Sequence, residues 1–514
     1  MPADGKIRIA IVGGGISGLS CALRLLQESE KIKDKLEIVI LEASARVGGV
    51  LETLNWQDCC IESGPDMFIT SPPYLKDLAV RLGLGERLIK VQDGPGVGGA
   101  LVLRNGQLHK VPDGFVMLAP SRLWPFALSP LVSPLGKLRA LLEPLIPRAS
   151  VSQDNGQDES LAQFVRRRFG REVLDNLAQP MVAGVYVGDA EKLSAQCVAT
   201  RFVEMERTAG SVTTSLLKSA GVKASGARYG LFASFDKGMS VLTEGLSQSL
   251  AGKVKVRLST RLLSLQRDLD GDKEGGGFTL QLEEKNSDSD SHNHKKVSLA
   301  CHYVVLTLPA AQCATLLRDV NSELASVLEK IEAASSAVVN MVFARKDLKA
   351  FERKHGRPFG ALVPDQERRR AGISTIAVSF ASNKFGGRSP QEKLVLRIFF
   401  KDGLEDSDQV LKARALADLR KMTVLAKEIE PQYWAVHRYR EAMPQYNLGH
   451  KKLIAQLESL CARQMGVFLA GASYQGVGLP DCVNSGNLCA ERLLSQLYAS
   501  NLDADLGEVH ERQT

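Results

Sequence analysis

The clearest chemical pattern in the sequence lies near its amino end and reads Gly13-Gly14-Gly15-Ile16-Ser17-Gly18. Its first, third and sixth residues match G-x-G-x-x-G. The motif lies between an apolar stretch typical of a buried strand (6–13) and an amphipathic stretch typical of a helix (16–28). In this context the glycines permit a tight turn, close approach of a pyrophosphate and close packing of helix on strand. The start of the helix offers free N–H groups to phosphates. We therefore predict a dinucleotide site at residues 13–18.

Glu42 follows the next apolar stretch, 36–41, and is the second candidate binding residue. A carboxylate at the end of that strand can accept both ribose hydroxyls of an adenosine, and it repels the 2′-phosphate of NADP. Residues 42–49 resemble the E-x-x-x-R-x-G-G sequence of the two-domain flavoprotein superfamily, which includes amine oxidases, phytoene desaturases and protoporphyrinogen oxidases. Arg46 in this motif can meet pyrophosphate charge. The two motifs in register predict FAD as the cofactor.

A further glycine-rich turn lies near the carboxyl end. Residues 467–471 read as a strand running into a glycine, and 472–481 form a turn before an apolar helix. The N–H groups of such a turn suit the ribityl chain, the pyrophosphate or flavin O2. We expect the FAD domain to be built from both chain ends, with 238–265 returning to it. Leu262 in that stretch lies where the superfamily places an apolar residue against the adenine.

Three longer segments resemble the protoporphyrinogen oxidase family. Residues 62–70 are similar to its GPDSF segment, 179–189 to its P-x-x-x-G-V-Y-x-G-D stretch, and 471–482 to its carboxyl-terminal flavin signature. The resemblance implies an α/β, amine-oxidase-like two-domain flavoprotein with a Rossmann-type FAD domain, a mixed-sheet substrate domain and a helical membrane-contacting insertion. It also implies the six-electron oxidation of a porphyrinogen to a porphyrin, with three O2 reduced to three H2O2.

The resemblance assigns FAD contacts by matching position to Gly13, Gly14, Gly15, Ile16, Ser17, Gly18, Glu42, Ala43, Arg46, Gly49, Val50, Gly64, Pro65, Asp66, Met67, Leu262, Ala472, Val477, Gly478 and Leu479. Amine oxidases with covalent FAD carry a cysteine near the carboxyl-terminal turn. This turn has Ala472 and Ser473, so noncovalent FAD is predicted. No side chain is predicted to act as a catalytic acid or base, because FAD is the reactive group and the protein mainly orients a flat ring against it.

Two substrate contacts are predicted from the same resemblance. Gly184 matches a family position that lines the porphyrin pocket. Phe385 is similar to an aromatic that stacks on a pyrrole ring, and ordinary core packing is its alternative interpretation. Several relatives place a basic residue soon after the Gly-Pro pair to hold a propionate, but 66–70 contains none.

The missing basic residue favours protoporphyrinogen IX, which has two carboxylates, as the substrate. Coproporphyrinogen III, which has four, is the alternative. Two more distant alternatives are another amine oxidase or a carotenoid desaturase, and a non-enzymatic lipid-carrying protein on the same fold. The resemblance also implies molecular oxygen as the electron acceptor and suggests a homodimer.

Composition limits the range of partners. The chain of 514 residues has 65 Lys and Arg against 58 Asp and Glu, a net charge of +7. This mild excess does not indicate nucleic acid, and it is compatible with an anionic membrane surface or an acidic substrate. Nine cysteines without a C-x-x-C pair indicate reduced thiols, and no metal site is predicted. Because no secretory signal, transit peptide or transmembrane-length apolar stretch is evident, we expect a cytoplasmic, peripherally membrane-associated protein.

Residues 114–148 are apolar but contain six prolines, which prevent one long helix. Short amphipathic helices are expected there. They either contact a membrane through Trp124 and Phe126 or cap a substrate cavity. The polar stretch 150–160 is predicted to be a linker, and 161–177 a helix.

The domain boundaries follow from these patterns. The predicted FAD domain comprises 1–85, 221–310 and 446–514, the last part ending in an acidic tail. The predicted substrate domain comprises 86–112 and 311–445, and the helical domain 113–220. The stretch 268–296 is expected to form a β-meander with a long, mobile tip inside the second FAD part.

Overall fold

The computed structural model describes residues 6–29, 35–94, 96–148, 158–220, 231–268, 277–285, 294–463 and 466–511. Most of the predicted linker, the tip of the predicted meander and the end of the predicted acidic tail lie outside these residues.

Within the described residues the strands are β1 (Ile7–Val12), β2 (Leu36–Leu41), β3 (Thr53–Trp56), β4 (Cys59–Glu62), β5 (Phe68–Ile69), β6 (Leu88–Lys90), β7 (Ala100–Arg104), β8 (Gln107–Lys110), β9 (Phe115–Val116), β10 (Ala119–Pro120), β11 (Phe232–Phe235), β12 (Lys255–Arg257), β13 (Thr260–Arg267), β14 (Phe278–Lys285), β15 (His294–Cys301), β16 (Tyr303–Leu306), β17 (Ala333–Ala344), β18 (Gly360–Leu362), β19 (Ala377–Phe380), β20 (Lys393–Phe400), β21 (Tyr433–Pro444) and β22 (Val467–Leu469).

The helices are α1 (Ile16–Glu28), α2 (Tyr74–Arg81), α3 (Leu123–Leu128), α4 (Pro134–Leu141), α5 (Leu161–Phe169), α6 (Arg171–Val173), α7 (Gln179–Tyr186), α8 (Ala195–Val198), α9 (Thr200–Ala209), α10 (Val212–Ala220), α11 (Ser240–Leu250), α12 (Ala310–Leu317), α13 (Ser322–Leu328), α14 (Lys349–His355), α15 (Asp365–Ala371), α16 (Ala381–Lys384), α17 (Asp408–Lys421), α18 (His450–Arg463) and α19 (Leu479–Glu511).

A five-stranded parallel sheet in the order β12-β2-β1-β16-β22 forms the first unit. β1 and β2 are nearly continuous apolar runs, as expected for parallel strands covered on both faces. α1, α11 and α19 cover one face, and the antiparallel meander β13-β14-β15 with α12 and α13 covers the other. Strands from both chain ends and from a middle stretch therefore build one sheet.

α12 and α13 belong to this unit, which corrects the predicted boundary at 310/311. Both helices bury leucines in the core beneath the parallel sheet, and the next sheet starts only with β17 at Ala333. The two helices are short and amphipathic, so their sequences do not indicate which of two neighbouring sheets they cover.

The second unit is a seven-stranded sheet in the order β21-β17-β20-β19-β18-β7-β8. β18 and β7 are parallel while the other neighbours are antiparallel, so the sheet is mixed as predicted. α14 and α17 cover one face with apolar contacts. The register sets Arg397 opposite both Asn340 and Ser379, so these buried polar side chains share the other face. That polar face is turned toward the parallel-sheet unit, because Asn340 donates to the Glu62 carbonyl.

α3 to α10 and the β9–β10 hairpin pack around a third apolar core and form a helical unit. The helix predicted over 161–177 stops at Phe169, because Gly170 adopts a φ of +91°, and the chain continues as α6 and a π-helical segment. Arg168 is fully buried in this unit, where it donates to Glu143 and Glu206.

Large apolar side chains are exposed along α3, α4 and the residues that follow α4. Trp124, Leu128, Leu135 and Leu145 are exposed by 74%, 67%, 78% and 77%, and we call this surface the exposed apolar face. Phe126 is fully buried instead, so the expectation that it lies at the surface beside Trp124 is wrong. No helix in the described part of the chain is both long enough and apolar enough to cross a membrane.

Gly486 lets α19 lie directly on α1. A Cβ at this position would overlap the carbonyl oxygen of Ser17 and lie 3.0 Å from the amide nitrogen of Cys21. Further along the same pair of helices, Arg24 and Glu491 form a salt bridge of 2.8 Å. The contact places the start of α19 beside the start of α1, although most of the chain separates them in sequence.

We expect Gly486→Ala to push α1 and α19 apart and to lower the free energy of unfolding by about 1–3 kcal/mol, the usual cost of overpacking a core position. Urea unfolding followed by circular dichroism measures the change. Gly85→Ala is the matched control, because its Cβ would meet Val80 at an ordinary 3.5 Å. Equal stability of the two variants would contradict the role assigned to Gly486.

Candidate active site

The turn between β1 and α1 is tightly packed against the protein at Gly13 and Gly18 and has free space at Gly15. A Cβ at Gly13, where φ is +108°, would overlap the hydroxyl of Thr307, and a Cβ at Gly18 would overlap the Gly13 carbonyl. A Cβ at Gly15 would meet no atom within 4 Å. α1 starts directly after Gly15, with no side-chain cap and no acidic residue in its first turn. Its first N–H groups therefore face an open space that fits a pyrophosphate.

Glu42 follows β2 beside this turn. One carboxylate oxygen accepts from the Gly14 amide at 2.7 Å, and the other accepts from the amide and the hydroxyl of Ser44, both at 2.8 Å. A carboxylate offers about four acceptor positions, so capacity for a ribose hydroxyl is left. Glu42 thus fixes the shape of the turn, and its contact with ribose stays a prediction.

Arg46 folds the loop that follows β2. Its guanidinium donates to backbone carbonyls within 47–51 and forms a 2.9 Å salt bridge with Glu52. The Gly48 amide donates to the Gly14 carbonyl at 2.8 Å, which joins this loop to the first glycine-rich turn. Since the guanidinium holds the loop together, its predicted contact with the pyrophosphate stays a prediction.

Gly64 packs a third predicted segment against the same loop. A Cβ at Gly64 would overlap the carbonyl oxygen of Val50, so the two backbones touch. Beyond Gly64, the side chains of Pro65 and Met67 are half-buried, whereas Asp66 is buried. Pro65 and Met67 are therefore partly accessible, whereas the Asp66 side chain is turned into the protein.

The carboxylate of Asp66 is held by two cations from the seven-stranded sheet. Lys384 Nζ donates to it at 2.9 Å, and Arg397 Nη1 lies 3.3 Å away. Burial by itself raises the pKa of Asp66, but the charges and hydrogen bonds of Lys384 and Arg397 outweigh it and lower the pKa to about 2. Asp66 is thus ionised and engaged with protein groups, so what it can offer to a cofactor is its backbone.

Sequence reasoning missed Lys384, Arg388 and Arg397, which reach this segment from more than three hundred residues away. Arg388 donates to Glu62 and to the Asp66 carbonyl. The sequence contained a signal for one of them, Arg397. Arg397 is the lone charged residue inside the apolar run of β20, and a buried arginine needs an acidic partner. The sequence does not say which carboxylate that partner is.

Leu262 lies at the end of the site where the adenine is predicted. β13 begins beside Glu42, whose carbonyl accepts from the Thr260 amide at 2.8 Å. Leu262 itself is buried in one core cluster with Val12 and Leu41, the last residues of β1 and β2. Its direct contact with an adenine stays a prediction.

The turn at 472–478 closes the site from the carboxyl end. The Tyr446 hydroxyl donates to the Ala472 carbonyl, and the Gly486 backbone of α19 lies against the Ser17 carbonyl in the first turn of α1. Both glycine-rich turns are therefore fixed side by side. Burial raises the pKa of Cys482 to about 12, so its thiol is protonated and unreactive, which supports noncovalent FAD.

The helical unit meets this turn and the seven-stranded sheet at α7. Gly184 is exposed on α7, and a Cβ there would lie 3.2 Å from Leu362 on β18. Leu362 and Val477 both pack against the core of the helical unit. Gly184, the predicted porphyrin contact, therefore lies where the helical unit meets the seven-stranded sheet.

Phe385 does not line this junction. The side chain is 1% exposed, and the Arg388 guanidinium lies over its ring, 5.5 Å from the centroid. Burial favours the core-packing interpretation of Phe385, and stacking on a pyrrole ring would require the ring to be uncovered first.

The structure thus brings four predicted segments together: 13–18, 42–50, 64–67 and 472–479. Of their members not yet placed, Ile16, Ser17 and Leu479 are buried, Ala43, Gly49 and Val50 are exposed, and Gly478 is half-buried. Among the residues described, no group of three or more His, Cys, Asp or Glu side chains is arranged to hold a metal ion.

The parallel sheet has a glycine-rich first turn, a carboxylate after its second strand and a glycine turn near the carboxyl end. Together these features define a flavin-binding oxidoreductase. The family model for flavin-containing amine oxidoreductases matches residues 16–494, and the chain belongs to this family. The predicted amine-oxidase-like α/β flavoprotein fold and the flavin cofactor are confirmed, while the membrane contact of the helical insertion stays a prediction. The open turn at Gly15 and the closed positions at Gly13 and Gly18 fit FAD.

Within this family the chain is one of the porphyrinogen oxidases. It is 31% identical to coproporphyrinogen III oxidase of Bacillus subtilis, over 97% of this chain and 100% of that protein. It is 30% identical to chloroplastic protoporphyrinogen oxidase 1 of Arabidopsis thaliana, over 92% of this chain and 85% of the relative. A crystal structure of a protein from Exiguobacterium sp. 255-15 superposes with a TM-score of 0.77 at 30% identity, covering 96% of this chain and 99% of that one.

We expect Glu42→Ala to weaken FAD binding about ten- to a hundredfold, because the substitution removes the predicted ribose acceptor and leaves the Gly14 amide without its partner, a loss of about 1–3 kcal/mol. Titration of the apoprotein with FAD, followed by flavin fluorescence, measures the dissociation constant. Glu329→Ala is the control, since that exposed carboxylate pairs with Arg318 elsewhere on the surface. If both variants bind FAD as the parent does, Glu42 has no part in the site.

Proposed function

We propose that this chain oxidises protoporphyrinogen IX to protoporphyrin IX, with O2 as the electron acceptor and H2O2 as the product. The observation that carries the proposal is the meeting of four predicted FAD segments at one place, together with the position of Gly184 where α7 meets the seven-stranded sheet. Its family membership supports the porphyrinogen class of substrate.

FAD, when bound, would accept hydride from the bridging carbons of the macrocycle, whose neighbouring pyrroles stabilise positive charge. The residues of the chain orient the ring. Gly184 presents no side chain, while Leu362 and Val477 offer apolar contact, and such a surface suits a flat, apolar ligand. Proximity and orientation, rather than a protein acid or base, then account for the rate.

The cations beside the segment 64–67 are already paired within the protein, which supports protoporphyrinogen IX, the substrate with fewer carboxylates. Lys384 is bound to Asp66, Arg388 to Glu62 and Arg397 to the Gly64 carbonyl. All three cations are less than 9% exposed, so they do not offer a free clamp for propionates. Coproporphyrinogen III is the second candidate, favoured by the Bacillus subtilis relative that matches along its whole length.

The purified flavoprotein should be tested with anaerobically prepared protoporphyrinogen IX and coproporphyrinogen III, with porphyrin fluorescence and H2O2 recorded after air is admitted. We expect a kcat/KM at least about tenfold higher for protoporphyrinogen IX, equal to about 1.4 kcal/mol of transition-state preference. Three H2O2 should form per porphyrin. A preference for coproporphyrinogen III would overturn the substrate assignment, and inactivity on both would overturn the function.

We also propose that the exposed apolar face contacts a membrane surface. Trp124, Leu128, Leu135 and Leu145 all lie within the segment predicted to make that contact. An interfacial tryptophan among leucines on short helices is typical of proteins that dip into one leaflet. Peripheral association, the cytoplasmic location and the homodimer are predictions at this point.

We expect the double substitution Trp124→Glu, Leu135→Glu to abolish flotation with anionic liposomes, because each charge would have to enter the apolar part of the leaflet. Both residues are largely exposed, so the fold should be kept. Leu263→Glu serves as the control, because Leu263 is 40% exposed on the meander, outside the face. Flotation of the double variant at the parent's level would count against the membrane contact.

A further inference from the structure

Five charged side chains from two units are buried together behind the segment 64–67. Glu62, Asp66, Lys384, Arg388 and Arg397 are each 3–8% exposed, and we call them the buried charge cluster. Charged side chains are seldom buried unless they are paired or serve a site.

The cluster holds the backbone of the segment as well as its carboxylates. Arg397 donates to the Gly64 carbonyl, and Arg388 donates to the Asp66 carbonyl at 3.3 Å. The Ser234 hydroxyl donates to the same Asp66 oxygen at 2.7 Å. Two cations thus reach main-chain atoms of a segment that is predicted to contact FAD.

The charges in the cluster do not balance. It contains two carboxylates and three cations, which leaves one positive charge in excess. Burial lowers the pKa of Arg388 to about 10, so this group is still protonated at neutral pH. In the part of the chain that is described, the Nε atoms of Arg388 and Arg397 have no hydrogen-bond partner.

Glu52, the next carboxylate outward from the cluster, does not supply the missing charge, because it pairs with Arg46 at 2.9 Å. A buried, uncompensated cation is unfavourable in a protein interior, so a nearby group that gains negative charge is stabilised by it. A flavin taking up two electrons with one proton gains one negative charge, and the segment held by the cluster is predicted to contact FAD.

We propose that the buried charge cluster raises the reduction potential of the bound flavin, with Lys384 and Arg397 favouring the reduced form and Asp66 limiting their effect. The effect of the cluster on the flavin potential does not depend on the proposed function. Only the benefit of a higher potential to porphyrinogen oxidation rests on that function. A higher potential eases removal of hydride from carbon. Lys384, Arg397 and Asp66 act through charge and are positioning residues, not groups that touch the reacting carbon.

The test measures the two-electron midpoint potential of the bound flavin by anaerobic reduction against a reference dye, without any porphyrinogen. We expect Lys384→Met to lower the equilibrium constant for reduction at least about tenfold, equal to about 30 mV for a two-electron couple. Asp66→Asn should raise it by a similar factor. The double variant restores the parent charge and should return close to the parent potential.

Two further variants separate charge from packing. Lys384→Arg keeps the charge and should keep the potential, while Lys384→Gln repeats the charge loss in case the methionine variant does not retain FAD. Arg8→Met is the distant control. It removes a cation from an ion pair with Glu37 near the start of β1 and should leave the potential unchanged.

Opposite shifts for the two single variants support the proposal. Shifts of the same sign, no shift, or a double variant that does not return would overturn it and leave the cluster a purely structural joint. Inactivity toward both porphyrinogens would overturn the proposed function. It would not affect the test of the charge cluster, because the flavin potential is measured without substrate.

Discussion

The close approach of α19 to α1 at Gly486 is the constraint on which the site depends. The two glycine-rich turns come from opposite ends of the chain, and each could form locally without the other. Because Gly486 lies against the Ser17 carbonyl, both turns end at the same edge of the parallel sheet. A side chain at this crossing would keep each motif intact in sequence and still separate the two halves of one binding surface.

The second joint is ionic. The segment 64–67 belongs to the parallel-sheet unit, whereas Lys384 and Arg397 belong to the seven-stranded sheet, and their pairing with Asp66 fixes how the two units face each other. Buried pairs of this kind add little net stability compared with apolar packing, but breaking one of them is costly, so they select one arrangement of the units. The structure thus combines a steric joint between chain ends with an electrostatic joint between sheets.

Local patterns predicted much of this molecule. The β1–α1–β2 opening, Glu42 and the carboxyl-terminal turn are short-range features, because each is defined by spacing within a few residues. The partners of Asp66, the sheet that α12 and α13 cover, and the burial of Phe126 were not predicted, and the burial of Phe385 was predicted only as the alternative to a substrate contact. These depend on contacts between residues distant in sequence, and an aromatic residue in an apolar stretch gives no sign of which way its side chain points.

The apolar core of the helical unit connects the exposed apolar face with α7. The helices that carry Trp124 and Leu135 pack on the same apolar centre as α7, which carries Gly184. A bilayer that holds the exposed apolar face would therefore hold Gly184, the predicted porphyrin contact, at a fixed height and tilt. A macrocycle dissolved in that bilayer would reach Gly184 by lateral diffusion in two dimensions. The product could return to the same lipid phase without crossing bulk water.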